Sequence, residues 1–203
     1  MDIPVCSNPK GRPREFCVHE ALAAALRVFW TKGYEGASLS DLTEAMGITR
    51  PSLYAAFGNK EALFRKALDL YEREKLAYVQ EALDAPTARG VAERLLRGAL
   101  ENQANAAEPK GCLGVISSMA CGSEAQSVRE EVIARRRSVH EALARRFARA
   151  AQEGDLPAGV DPEGLSGYLS ALLQGLMVQA GGGASREQLD ALVSTSLALW
   201  PTR

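Results

Sequence analysis

The chain is poor in the residues on which many catalytic and metal sites depend. Its 203 residues include only two histidines and four cysteines. Cys6, Cys17, Cys112 and Cys121 form no C-x-x-C pair, and neither histidine stands at ligand spacing from them. Structural zinc and a disulfide framework are therefore not expected. No apolar run approaches the ~18 residues of a membrane span. The opening MDIPVCSNPKGRPRE lacks the apolar stretch of a secretory signal, so the expectation is a soluble cytoplasmic protein without membrane contact. Alternating runs of β-branched residues are also missing, which argues against a sheet.

Apolar residues make up 46% of the chain, ample for a buried core, and they recur at helical spacing almost everywhere. The fold class expected is all-α, with about nine helices. Net charge is −1, but residues 1–66 carry +2 and residues 67–203 carry −3. The positive end includes a basic arm over residues 1–15, with Lys10, Arg12 and Arg14 kept extended by Gly11 and Pro13.

Local signals divide the next stretch finely. A helix from Cys17 to Lys32 stops at Gly33, and in "GASLSDLTEAMG" Ser38 and Asp41 have the spacing of a capping box for a helix over Leu39 to Met46. Gly47 supplies a tight turn. Thr49 then caps, with Pro51 in the first turn, a helix reaching Phe57. Helices this short are marginal alone, so Leu42, Met46, Ile48, Leu53 and Phe57 must bury against the first helix. Two short helices joined by a glycine turn and backed by a third form a helix-turn-helix, whose second helix enters the DNA major groove by its N-terminal end. Ser52, Ala55 and Ala56 are small enough for close approach. The start of the next helix, at Asn59 and Lys60, suits a phosphate.

The run "VFWTKGYEGASLSDLTEAMGITRPSLYAAFGNKEALF" resembles the DNA-binding domain of the tetracycline-repressor (TetR) family of bacterial transcription regulators. Gly33-Tyr34, Ser38, Leu42, Gly47, Leu53-Tyr54, Phe57 and Lys60-Glu61-Ala62-Leu63 carry the resemblance. Two positions depart from it: Thr43 stands where the family usually has alanine, and Pro51 where a glycine or another small residue is common. The resemblance implies that Ser38, Tyr54 and Lys60 hold phosphates of double-stranded operator DNA while Thr49, Arg50 and Ser52 face the bases. Arg50 is the specific reader, since a guanidinium grips guanine O6 and N7 together. It further implies a homodimer on a near-palindromic operator, and a small-molecule effector bound in a C-terminal helical domain. The expected domains are residues 16–64 for DNA and 65–203 for effector binding and dimerisation.

The remaining helices are expected over Lys60–Leu83 as one rigid lever, 87–106, a short piece in "CLGVISSMA", 124–152, 165–180 and 185–200. The effector pocket is expected at Tyr78, Leu96, Leu100, Asn102, Gln103, Cys112, Met119, Phe147, Tyr168 and Gln174, which interrupt or widen apolar faces. The last two helices are apolar on more than one face and need a second partner. Leu172, Leu176, Met177, Leu189, Leu192, Val193, Leu197 and Trp200 are the expected interface with a second copy. Cys112, just after "EPKG" and near Lys110, is a candidate redox or electrophile sensor, with Cys121 to resolve it. An effector-blind architectural protein is the other alternative. No cofactor or metal is expected, nor an enzyme: nothing orients Cys112 and His140 as a catalytic pair.

Overall fold

The computed structural model describes residues 17–105, 107–119, 122 and 125–201, with backbone alone at 118 and 119. The Lys10, Arg12 and Arg14 arm and Cys121 lie outside the described residues. Those residues form ten helices and no strand: α1 (Val18–Gly36), α2 (Leu39–Met46), α3 (Arg50–Phe57), α4 (Lys60–Lys75), α5 (Ala77–Leu83), α6 (Ala88–Asn102), α7 (Leu113–Met119), α8 (Gln126–Gln152), α9 (Pro162–Gly181) and α10 (Arg186–Ala198). Cys17, at the head of α1, is disulfide-bonded, which the cysteine spacing does not suggest.

The first three helices end where their local chemistry dictates. Helical geometry in α1 fails at Gly33 (φ 70°). Ser38 Oγ accepts the Asp41 N–H, and the Asp41 carboxylate accepts the Ser38 N–H, both at 3.0 Å. Gly47 closes α2 in the left-handed region (φ 65°), and Thr49 caps α3 with Pro51 in its first turn. Their apolar sides meet in one core. Leu42, Leu53 and Phe57 join Phe29, Leu63 and Phe64, all at most 2% exposed. Phe29 lies edge-on to Phe64, with ring centroids 5.1 Å apart. Replacing Phe29 with alanine should cost about 3–5 kcal/mol, seen as loss of the cooperative melting transition or a large fall in its midpoint.

This core continues along α4 to Leu70 and Tyr71 and takes in Leu113, Val128 and Val132 from later in the chain. A second core joins α5, α6, α8, α9 and α10 around Leu95, Leu143, Phe147, Leu169, Leu176 and Val193. The N-terminal unit therefore sits on the C-terminal helices through a packed joint.

The expected single lever from residue 60 to 83 is instead two helices, which raises the count from nine to ten. The break falls at Leu76 (φ −110°, ψ 10°). Its cause is tertiary: the Asn102 side-chain amide from α6 donates to the Lys75 carbonyl, diverting an acceptor from the helix ladder. The Lys75 ammonium pairs with Glu108 at the same place.

Candidate DNA-reading face and effector cavity

At the N-terminal end of α3, Thr49 and Arg50 are exposed, and Tyr54 is 48% exposed one turn on. Leu53 and Phe57, on the opposite side, are buried, so packing fixes which face looks outward. Thr49 Oγ1 lies 3.0 Å from Ser52 Oγ and accepts the Ser52 N–H. Arg50 donates to Ser40 Oγ at 2.9 Å, which holds the guanidinium across the opening between α2 and α3. Ser38 is exposed at the head of α2, where its hydroxyl oxygen serves the cap. Asn59 caps α4 by accepting the Ala62 N–H at 2.7 Å, leaving the first-turn N–H groups for an anion. Lys60 stands 4.6 Å from the Tyr34 ring centroid, and partial burial draws its pKa down against the opposing pull of Glu35. Four helix starts or faces thus offer hydroxyl, guanidinium, phenol and ammonium donors around α3.

The cap of α2 is electrostatically reinforced. Lys32 Nζ lies 2.7 Å from Asp41 Oδ1. This bond, followed by those from the Ser38 backbone and hydroxyl, holds the Asp41 carboxyl at about 2. A folded-state value below the ordinary ~3.9 means that the contribution is complete above about pH 4 and lost as pH falls toward 2. Asp41→Asn should lower the melting midpoint at neutral pH, and the gap from wild type should close between pH 4 and pH 2.

A partly open cavity of about 520 Å³ lies where α4 breaks. Trp30, Leu68, Tyr71, Leu76, Tyr78, Val79, Leu95, Ala99, Val132, Leu143, Leu173 and Met177 supply most of its wall, and Asn102, Gln103, Cys112, His140, Ser170 and Gln174 its polar points. Of the residues expected there, Tyr78, Asn102, Gln103, Cys112 and Gln174 do line it. Leu96, Leu100 and Phe147 do not: they are fully buried in the second core, turned away from the space. Tyr168 is 42% exposed on α9 beside Trp200, and the Met119 side chain lies outside the described residues. Trp30, Tyr71 and Arg135 are additions to the expected set, because nothing near them in sequence marks a space that only long-range packing creates.

Of the three arginines on this wall, Arg135 is neutralised by neighbouring acids. Arg135 reaches Asp69, Glu72 and Glu131 within 2.8 Å. Burial works against its charge, but these three acids outweigh it and hold the guanidinium firmly protonated. Burial likewise drives the Tyr71 and Tyr78 hydroxyls well above their ordinary range, aided by the neighbouring Cys112. His140 faces Ser166 Oγ at 3.1 Å and Glu163 at 2.8 Å. That serine, histidine and glutamate look like a hydrolase set. However, Ser166 is fully buried and its hydroxyl donates to the His140 carbonyl at 2.9 Å, so it is a structural tie.

The expected dimer residues divide. Leu176, Leu189, Val193, Leu197 and Trp200 are at most 4% exposed inside the chain's own core, and so are unavailable to a partner. Met177 lines the cavity. Leu172 and Leu192 are half-buried against the second core. The outward rows are instead Tyr168, Ala171 and Val178 on α9, with Ala191, Thr195 and Ala198 on α10 and Leu199 just beyond it. The period-3.6 pattern identifies the apolar helices, but five of the eight residues face the chain's own core.

Comparison with known proteins agrees along nearly the whole chain. Residues 21–67 match the family described as bacterial regulatory proteins, tetR family, and residues 92–195 match the tetracyclin repressor-like C-terminal domain. The HTH-type transcriptional repressor ComR of Escherichia coli K12 is 35% identical over 199 residues, 95% of this chain and 92% of that protein. The repressor BdcR of the same strain is 30% identical over 191 residues, 91% and 89% of the two chains. The TetR family regulator CifR, solved as a cysteine mutant with 26-base-pair operator DNA, superposes with a TM-score of 0.87. It is 43% identical, with 94% of this chain and all of that one covered.

Proposed function

The chain belongs to the TetR family of bacterial regulatory proteins, and from that premise we propose that it is a one-component repressor released from operator DNA by a small molecule. The observation that carries this reading is the outward face at the start of α3. Buried Leu53 and Phe57 fix Thr49, Arg50 and Tyr54 toward solvent, with Ser38 and Lys60 on either side as phosphate holders. Residues 16–64 form the DNA-binding domain, and residues 65–203 the sensing and dimerising one. In the dimer, two α3 helices enter successive major grooves, and the outward rows of α9 and α10 meet their copies across a two-fold axis.

A cavity of about 520 Å³ with a mostly apolar wall supports the sensing half of the proposal. A filled core would have favoured the architectural alternative. The effector must bind the DNA-incompetent arrangement more tightly, each tenfold of preference corresponding to ~1.4 kcal/mol. Selection of bound fragments from genomic DNA tests the reading: a few near-palindromic sites should be enriched, and unselective recovery would refute it.

A second reading is favoured by one observation: the Cys112 thiol lines the cavity beside Tyr71 and Tyr78. An electrophilic effector would then bond to its sulfur. Treatment with N-ethylmaleimide should weaken operator binding of the wild type at least tenfold and leave Cys112→Ser unaffected, as read by electrophoretic mobility shift.

A further inference from the structure

Occupation of the cavity must reach the DNA-binding unit, and a buried carboxamide supplies a direct route. Gln103 ends α6, is 8% exposed, and lines the cavity. Its side chain holds Gly111 at both ends. The Gly111 N–H donates to Oε1 at 2.8 Å, and Nε2 donates to the Gly111 carbonyl at 3.4 Å while lying 3.5 Å from Met177 Sδ. The same Gly111 carbonyl accepts the indole N–H of Trp30 at 3.2 Å. Trp30 belongs to α1, is 2% exposed, and stands edge-on to Tyr71 with ring centroids 4.9 Å apart.

Gly111 must stay a glycine. Its φ is +84°, and a Cβ there would stand 3.2 Å from the Met177 carbonyl. One carbonyl oxygen therefore joins an amide on the cavity wall to an indole in the core of the N-terminal unit. Because α1 packs directly on α2, a displacement of Trp30 is felt at the helix that supports α3.

We propose, on the effector-sensing reading of this cavity, that Gln103 reads the effector and that Gly111 relays its presence to α1. The occupant is a largely apolar molecule bearing a carbonyl or hydroxyl, since the wall is mostly apolar and the Gln103 carboxamide offers both a donor and an acceptor. When that group takes the carboxamide, Gly111 loses its grip. Trp30 then either follows Gly111 or gives up its acceptor, and a buried indole N–H left unpaired is costly, which favours movement of the α1 segment.

The test uses full-length protein without effector and the operator fragment selected above. Gln103→Leu removes both bonds to Gly111 at similar volume and mimics the occupied state. The operator Kd rises at least tenfold, and the Trp30 indole 15N–1H resonance, assigned in a Trp200→Phe background, moves. Leu169→Ala, a core truncation on α9 away from the cavity and from Gly111, keeps the operator Kd within twofold despite a comparable fall in melting midpoint. Trp30→Phe also weakens binding, and combining it with Gln103→Leu adds less than twofold to the larger single effect. If Gln103→Leu does not fold, Trp30→Phe against Leu169→Ala makes the same comparison. Wild-type binding with unchanged operator affinity in the relay variants, or equal losses in Leu169→Ala, overturns the relay alone. A wild type that selects no fragment overturns the regulator reading beneath it.

Discussion

Replacing Arg50 and Tyr54 together by alanine will lower operator affinity at least a hundredfold while the dimer and its melting temperature stay within a few degrees of wild type. Both side chains point outward, Tyr54 at 48% exposure, so neither contributes much to packing. A bidentate arginine on guanine is worth ~1–3 kcal/mol, and a tyrosine hydroxyl on a charged phosphate about 1.5–3 kcal/mol. Each occurs twice in a symmetric complex, so even the low ends of these ranges exceed the ~2.7 kcal/mol that a hundredfold change requires. The single variants separate the roles. Arg50→Ala should relax the preference at one base pair per half-site, whereas Tyr54→Phe should weaken binding to all sequences alike. Mobility shift against the selected operator and a scrambled fragment makes the comparison.

The second large effect concerns assembly. Ala171→Glu combined with Val178→Glu places two carboxylates on the exposed row of α9, where Val178 is 52% exposed. Across a two-fold axis each introduced charge meets its own copy or lies near it, so four carboxylates enter one apolar contact. Sedimentation equilibrium should then find monomers at micromolar concentration, and operator affinity should fall more than a hundredfold because each half-site binds alone. The circular dichroism spectrum should be unchanged, since neither residue serves the chain's own core. Leu176→Glu is the informative contrast. Leu176 is completely buried, and its replacement should unfold the chain rather than merely separate subunits.

What can be read from the sequence follows the range of the forces involved. The limits of α2 and α3 are set by Ser38 with Asp41, Gly47, Thr49 with Pro51, and Gly58, all within four residues of the backbone groups they satisfy. Such chemistry is visible in a linear string. The break at Leu76 is not, because the residue itself is a good helix former and the group that interrupts the ladder comes from Asn102, on another helix. The same distinction separates the two sites. The DNA-reading face can be laid out residue by residue because one short helix carries most of it. The cavity draws its wall from α1 and from every helix between α4 and α9, and periodicity cannot show which of several apolar stripes faces a void. Leu96, Leu100 and Phe147 fill the core, while Trp30 and Tyr71 border the space. For α9 and α10 the apolar pattern is sound, but periodicity alone does not tell the inward stripe from the partner's side.

Guanine methylation interference on the selected operator tests the central claim most directly, because N7 lies in the major groove where α3 is placed. Wild-type binding should be blocked by methylating guanines in two symmetric clusters about 10 base pairs apart, the spacing of successive major grooves on one side of the duplex, and Arg50→Ala should no longer sense one guanine in each cluster. Interference confined to adenine N3 in the minor groove, or a guanine pattern identical in wild type and Arg50→Ala, would show that α3 does not read this DNA.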